Sequence, residues 1–117
     1  MQATNYVKNL YQAVDDRSIE RLSDFLADDV IFKLGNFPST EGKNAVLAAN
    51  ENFFASIHNM QHHLDNIWQI DNTLICHGRV DYIRLDKTET SAVFSSILTL
   101  KDDQITDYLV YADLSEL

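Results

Sequence analysis

Apolar residues recur along this chain with two different periods, and the change of period divides it near residue 60. From residue 4 to 15, Tyr6, Val7, Leu10, Tyr11 and Val14 fall at helical spacing, which predicts a helix capped by Thr4 or Asn5. Asp15, Asp16 and Arg17 break it. Ser18 then caps a shorter helix carrying Ile19, Leu22, Phe25 and Leu26, closed by Asp28 and Asp29. Val30, Phe32 and Leu34 alternate, which predicts a first strand over residues 30–34. A turn is expected over 35–39, which holds the only proline and one of three glycines. A third helix is expected over 43–57, with Val46, Leu47, Phe53, Phe54 and Ile57 as its apolar stripe.

Beyond Met60 the period becomes two. Strands are predicted over 61–70, 73–85, 91–100 and 105–114, separated by polar turns at Asp71-Asn72, Asp86 to Glu89 and Lys101-Asp102-Asp103. Three helices, one after a lone strand, followed by a run of hairpin-linked strands is an α+β pattern. A curved, mainly antiparallel sheet wrapped around the helices closes such a chain and leaves a cone-shaped space between them. Neither a repeat nor a linker interrupts it, so residues 1–117 are expected to form one domain.

Composition narrows the function classes. The chain has 18 acidic and 9 basic residues, a net charge of −9. Nucleic-acid binding needs a clustered basic surface, so that partner is not expected, and neither is an anionic membrane. No apolar run approaches the ~18 residues that cross a bilayer, and the start MQATNYVKNLYQAV lacks the basic and apolar blocks of a signal peptide. The expected location is the cytoplasm. Cys76 is the only cysteine, which excludes an internal disulfide and reads best as a small buried hydrophobe. No cofactor motif is present: there is no glycine-rich phosphate loop and no nucleophile elbow. His58, His62, His63 and Asp65 cluster in sequence, but a change from helix to strand between them breaks the spacing a metal needs, and no metal is expected.

The stretch that stands out is CHGRVDYIRL, residues 76–85. Arg79 and Asp81 lie two apart in a strand and share a face with His77 and Ile83, while Val80 and Tyr82 take the other. Such a pair is either a surface charge pair or the polar floor of a pocket.

The order of elements resembles the SnoaL-like group of the NTF2-like superfamily, in its limonene-epoxide hydrolase and polyketide cyclase branch. The resemblance rests on LADDVIF at the first strand, Glu41-Gly42-Lys43 before the third helix, QHHLDNIW, GRVDYIR, and QITDYLVYADL at the end. It implies an NTF2-like cone, three N-terminal helices packed on a strongly curved sheet, with a pocket between them and dimers formed through the outer sheet face. Arg79-Val80-Asp81 is similar to the Arg-x-Asp of the epoxide hydrolases. The second carboxylate of that chemistry would fall at Val110, however, and its water-holding Tyr and Asn at Phe32 and Leu34. The base and tyrosine of a ketosteroid isomerase would fall near Leu34 and Leu10. Polyketide cyclases demand less: one general acid/base beside an acidified substrate.

Asp81 is therefore expected as acid/base, Arg79 as its partner and His63 as an auxiliary, His63 sharing a face with Asp65 and Ile67. Alternation and the resemblance together place Tyr11, Val14, Phe32, Leu34, Phe54, Ile83, Phe94, Ser96, Tyr108, Val110 and Ala112 around the pocket. Val80, Tyr82, Val93, Ile97, Leu109 and Tyr111 are expected outside, as a patch that a homodimer would cover. The function so implied is binding of a small hydrophobic molecule, with cyclase or isomerase chemistry. The alternatives are a non-catalytic ligand-binding or dimerisation module of the same fold, and a diverged epoxide hydrolase.

Overall fold

A computed structural model describes residues 2–117. Helix α1 (Ala3–Asp15) buries Val7, Leu10, Tyr11, Ala13 and Val14 along one stripe. Its cap is Gln2, whose side chain accepts the Asn5 N–H at 2.6 Å, rather than the expected Thr4 or Asn5. Helix α2 (Ile19–Phe25) starts at Ser18, which accepts the Arg21 N–H as its sequence predicts. Strand β1 (Leu26–Leu34) begins four residues before the expected Val30. Leu26 already pairs with Ile105, and an irregularity between Leu26 and Ile31 separates that contact from the regular ladder. A two-residue strand, β2 (Thr40–Glu41), lies between the expected turn and the expected helix, where no strand was expected. Helix α3 (Lys43–Ala55) opens on Gly42, whose φ of +89° suits glycine alone.

Strand β3 (Ile57–Ile70) follows α3 almost directly and is longer than its alternating part. Strands β4 (Thr73–Arg84), β5 (Glu89–Lys101) and β6 (Gln104–Ala112) complete the chain. Asp102 and Asp103 both have positive φ between the paired Lys101 and Gln104, the two-residue turn whose twist suits a hairpin. All six strands form one sheet in the order β2-β1-β6-β5-β4-β3. Every pairing is antiparallel except β1 with β6. The chain is thus α+β with three helices on a curved, mostly antiparallel sheet. Among the described residues, no helix is long and apolar enough to cross a membrane.

The core lies between the helices and the concave face. From β4 come Leu74, Cys76, Val80 and Tyr82, and from β5 Phe94, Ser96, Leu98 and Leu100. Burial decides the faces of β4: Val80 is 1% and Tyr82 5% exposed, while Arg79 is exposed. The expected orientation of this strand is therefore inverted. Val80 and Tyr82 face the cone; Arg79, Asp81 and Ile83 face outward. Strands β5 and β6 keep their expected faces, with Val93 (77% exposed) and Tyr111 (51%) outside.

Candidate functional site

The apex of the cone is built from α1 and β3. Met60, His62 and Leu64 pair with Tyr82, Val80 and Gly78, which face inward. A bulge at Asp65 interrupts the ladder between Leu64 and Asn66 and resets the phase, so that Ile67 again pairs with an inward residue, Cys76. Alternation counted back from Ile67 without that bulge puts His63 inside. The structure puts His62 there and His63 outside.

His62 is held by Asp15, the last residue of α1. Its Nδ1 lies 2.5 Å from one carboxylate oxygen, and its backbone N–H donates to the other at 2.9 Å. Both side chains are largely buried, 9% and 14% exposed. The imidazole is tilted against the Tyr11 ring at 4.4 Å and meets Phe94 edge-on at 5.0 Å. A carboxylate accepts, so Nδ1 is the donor in this pair and Nε2 is the ring nitrogen left for another partner.

Beside it, the Tyr11 hydroxyl forms a very short hydrogen bond with Ser96, both fully buried. Burial pushes the Tyr11 phenol well above its ordinary value, and the neighbouring Tyr108 is raised for the same reason. Both remain neutral O–H groups, able to donate to a ligand oxygen. When Ser96 donates to Tyr11, the Tyr11 hydroxyl can donate in turn to its neighbour Tyr108, so the two phenols act as one donor chain. Ser96 thus lies beneath the wall, sealed by Tyr11, rather than on the cavity surface.

The cavity in the cone is small, about 40 Å³, and open on one side. Nine of the expected pocket residues line it: Tyr11, Val14, Phe32, Leu34, Phe54, Phe94, Tyr108, Val110 and Ala112. Six others do so that were not expected there: Asn50, Phe53, Met60 and His62, together with Val80 and Tyr82, which had been expected on the outer face. The signals for the last three were the plain alternation of β4 and a histidine in step with Met60. Ile83 is absent from it because it faces outward with Asp81.

The expected acid/base group forms a tight cluster, but on the convex face. Arg79 Nε donates to Asp81 Oδ1 at 2.8 Å, and Ser91 Oγ donates to the same oxygen at 2.8 Å. His63 Nε2 lies 2.9 Å from Oδ2. The hydrogen bonds from Arg79 first, then Ser91 and His63, hold the Asp81 carboxyl down at about 2. A carboxylate so anchored, half open to water, is a poor general acid at neutral pH. Asp81 and Ile83 line a separate, mainly polar hollow of about 380 Å³ with Asn59, Gln61 and Ser91, not the cone. His62 and His63 take opposite faces, and no group of three metal-ligating side chains converges among the described residues.

Known proteins place this geometry. Among curated proteins, none matches the chain in sequence. Solved structures match throughout. An NTF2-like protein of unknown function from Burkholderia pseudomallei K96243 superposes with a TM-score of 0.87 at 15% identity, covering 97% of this chain and 92% of its own. A protein with a ketosteroid isomerase-like fold from Catenulispora acidiphila, crystallised with trimethylamine, gives 0.87 at 14% identity, covering 97% and 89%. An epoxide hydrolase similar to limonene-epoxide hydrolase from M. tuberculosis gives 0.82 at 13% identity, covering 96% and 85%. These likenesses establish the fold. The SnoaL-like domain family matches in sequence from residue 7 to residue 108, and the chain belongs to that family.

Proposed function

We propose that this protein binds a small hydrophobic molecule in the cone and moves a proton on it, in the manner of an isomerase or cyclase, with His62 rather than Asp81 as the acid/base. The observation that carries this is the His62–Asp15 pair on the cavity wall: a buried carboxylate fixes one ring nitrogen and leaves the other free. For a carbonyl ligand, Nε2 would take the proton from the α-carbon as the electron pair moves onto the carbonyl oxygen. A Tyr11 or Tyr108 hydroxyl would stabilise that oxygen. Return of the proton at the same or another carbon completes the step.

Epoxide hydrolysis by the Arg79–Asp81 pair is not supported, since that carboxylate faces away from the cavity. The non-catalytic reading is favoured by one observation, the 40 Å³ volume, which leaves little room beside His62 for a bulky substrate. Exchange of α-protons of simple ketones in deuterium oxide, followed by NMR, separates these readings. The wild type should accelerate exchange and His62→Gln should lose about a hundredfold or more of that acceleration, the ordinary contribution of a positioned base. Asp81→Asn should leave it unchanged. Loss in Asp81→Asn with retention in His62→Gln would return the chemistry to the convex face; no exchange by the wild type would favour a binding module.

A homodimer through the convex face belongs to the same proposal. Val93, Tyr111, Trp68 and Ile70 are exposed, and Trp68 and His77 stack at 5.5 Å, so a monomer would leave a broad apolar area in water. Sedimentation at micromolar concentration should give twice the chain mass, and Val93→Glu should return it to one; a wild-type monomer would refute the dimer.

A further inference from the structure

A second hollow adjoins the cone. It has a volume of about 280 Å³ and is lined by Phe37, Pro38, Thr40, Ala49 and Asn52 together with Phe32, Leu34, Asn50 and Phe53. Those last four also line the inner cavity, so the two hollows adjoin across the same side chains, which would form the waist of a joined site. The inner chamber is small and carries the polar groups: His62, Tyr11 and Tyr108. At ~10–15 Å³ for each water-sized occupant, its 40 Å³ takes about three non-hydrogen atoms. The outer chamber is some seven times larger and mostly apolar. Among the described residues, neither chamber has a lysine or arginine in its lining, and the chain carries a net charge of −9. An anionic head group would enter the cone with no cation to receive it, and at the cost of its hydration.

We infer that the two chambers are one ligand site for an uncharged, elongated molecule: a carbonyl with its α-carbon in the inner chamber, and an unbranched apolar tail passing the waist into the outer one. This rests on the function proposed above for the inner chamber and extends it to the substrate class. Phe53 and Asn50 on α3 then select by shape. A thin alkyl chain passes between them and the β1 residues Phe32 and Leu34, while a fused-ring body does not reach His62. The side-chain amide of Asn50 donates to the Val46 carbonyl at 2.9 Å, which holds its place on the helix.

The test is a ladder of 2-alkanones from butanone to undecanone, with binding measured by ligand-observed NMR and calorimetry. Affinity should rise about threefold per added methylene, close to the full value of a buried CH₂, then level off once the tail overruns the outer chamber. Ala49→Trp, on the partly exposed side of α3 and lining only the outer chamber, should abolish the gain per methylene beyond butanone. Asn52→Trp, at an exposed position of the same chamber, repeats the block where Ala49→Trp fails to fold. Saturated carboxylates of equal length should bind at least tenfold more weakly than the ketones. A flat ladder, a gain untouched by both blocking variants, no binding of any ketone, or tighter binding of the carboxylates would each overturn the two-chamber site. Chain-length gain without α-proton exchange would instead sink the catalytic reading and leave this site standing. Exchange without chain-length gain would do the reverse.

Discussion

Gly78→Ala is expected to destabilise the fold by about 3 kcal/mol or more, a fall in Tm of roughly 10 °C or beyond for a domain of this size. A Cβ at this position would stand 1.9 Å from the His63 carbonyl oxygen, 2.9 Å from its carbon and 3.1 Å from the Leu64 Cα. All three are backbone atoms of β3 and cannot rotate aside. Gly78 pairs with Leu64 at the last rung before the Asp65 bulge, where β3 bends close over β4. Relief requires β3 to move off as a strand. As an edge strand it is free on its other side, but moving it would unseat Ile57, Met60 and His62 from the core. Thermal and urea unfolding of the purified variant measure this directly; a Tm within 2 °C of the wild type would show that β3 yields and that the bulge is not pinned by glycine. Even a folded variant should show altered His62 chemical shifts, because the strand that carries this ring is the one displaced.

The same few residues explain what could be read without coordinates. The helix stripes, the hairpin turns and the faces of β5 and β6 follow local periodicity, and local periodicity survives in the structure. Strand β4 also obeys it. Leu74, Cys76, Val80 and Tyr82 form its apolar set, and burial of that set is what the hydrophobic effect alone predicts. Similarity of Arg79-Val80-Asp81 to a catalytic motif pulled the polar set inward instead. A motif of three residues carries no information about which face it occupies, whereas the alternation around it does. The α+β architecture was legible because it depends on element order, and nine of the cavity residues because the stripes of α1 and α3 and the faces of β1, β5 and β6 follow local periodicity; the faces of Asp81 and His63 were not, because they depend on strand phase.

Phase is where β3 defeats inspection. One extra residue at Asp65 reverses the side chains from Asn59 to Leu64, up to a second irregularity after Ile57, and nothing in QHHLDNIW marks Asp65 as a bulge. The pairing with Gly78 is the one hint, since a glycine within a strand often marks a close backbone approach. The β1–β6 parallel pairing and the two-residue β2 were hidden for another reason. Alternation within a segment shows which face is buried but not which strand lies beside it, and two residues are too few to alternate. The length of the inner cavity likewise reflects how far Phe32, Phe54 and Phe94 fill the cone, which no pattern of polar and apolar positions records.

Asp15 left a different trace, and it leads to the second large expected effect. A carboxylate at the last position of a helix sits at the negative end of the dipole, which costs some tenths of a kcal/mol locally, and no basic residue in the last turn of α1 offsets it. A residue that breaks a local rule is worth asking about, and here the answer is His62. Asp15 accepts both its ring Nδ1–H and its backbone N–H, so one side chain ties the end of α1 to an edge strand. Asp15→Ala should cost about 2–4 kcal/mol, since hydrogen bonds to a charged, mostly buried acceptor contribute ~1.5–3 kcal/mol each and the orphaned donors lose their partner. Asp15→Asn should cost less, because its amide oxygen can still accept one of the two. In a double-mutant cycle with His62→Ala, urea unfolding should give a coupling energy of at least ~1 kcal/mol; a value under ~0.3 kcal/mol would mean the two groups are neighbours without being partners. The cycle also bears on chemistry. With Asp15 removed the imidazole loses both its tautomer and its aim, so α-proton exchange should fall in Asp15→Asn nearly as far as in His62→Gln, while the binding ladder of the ketones stays in place.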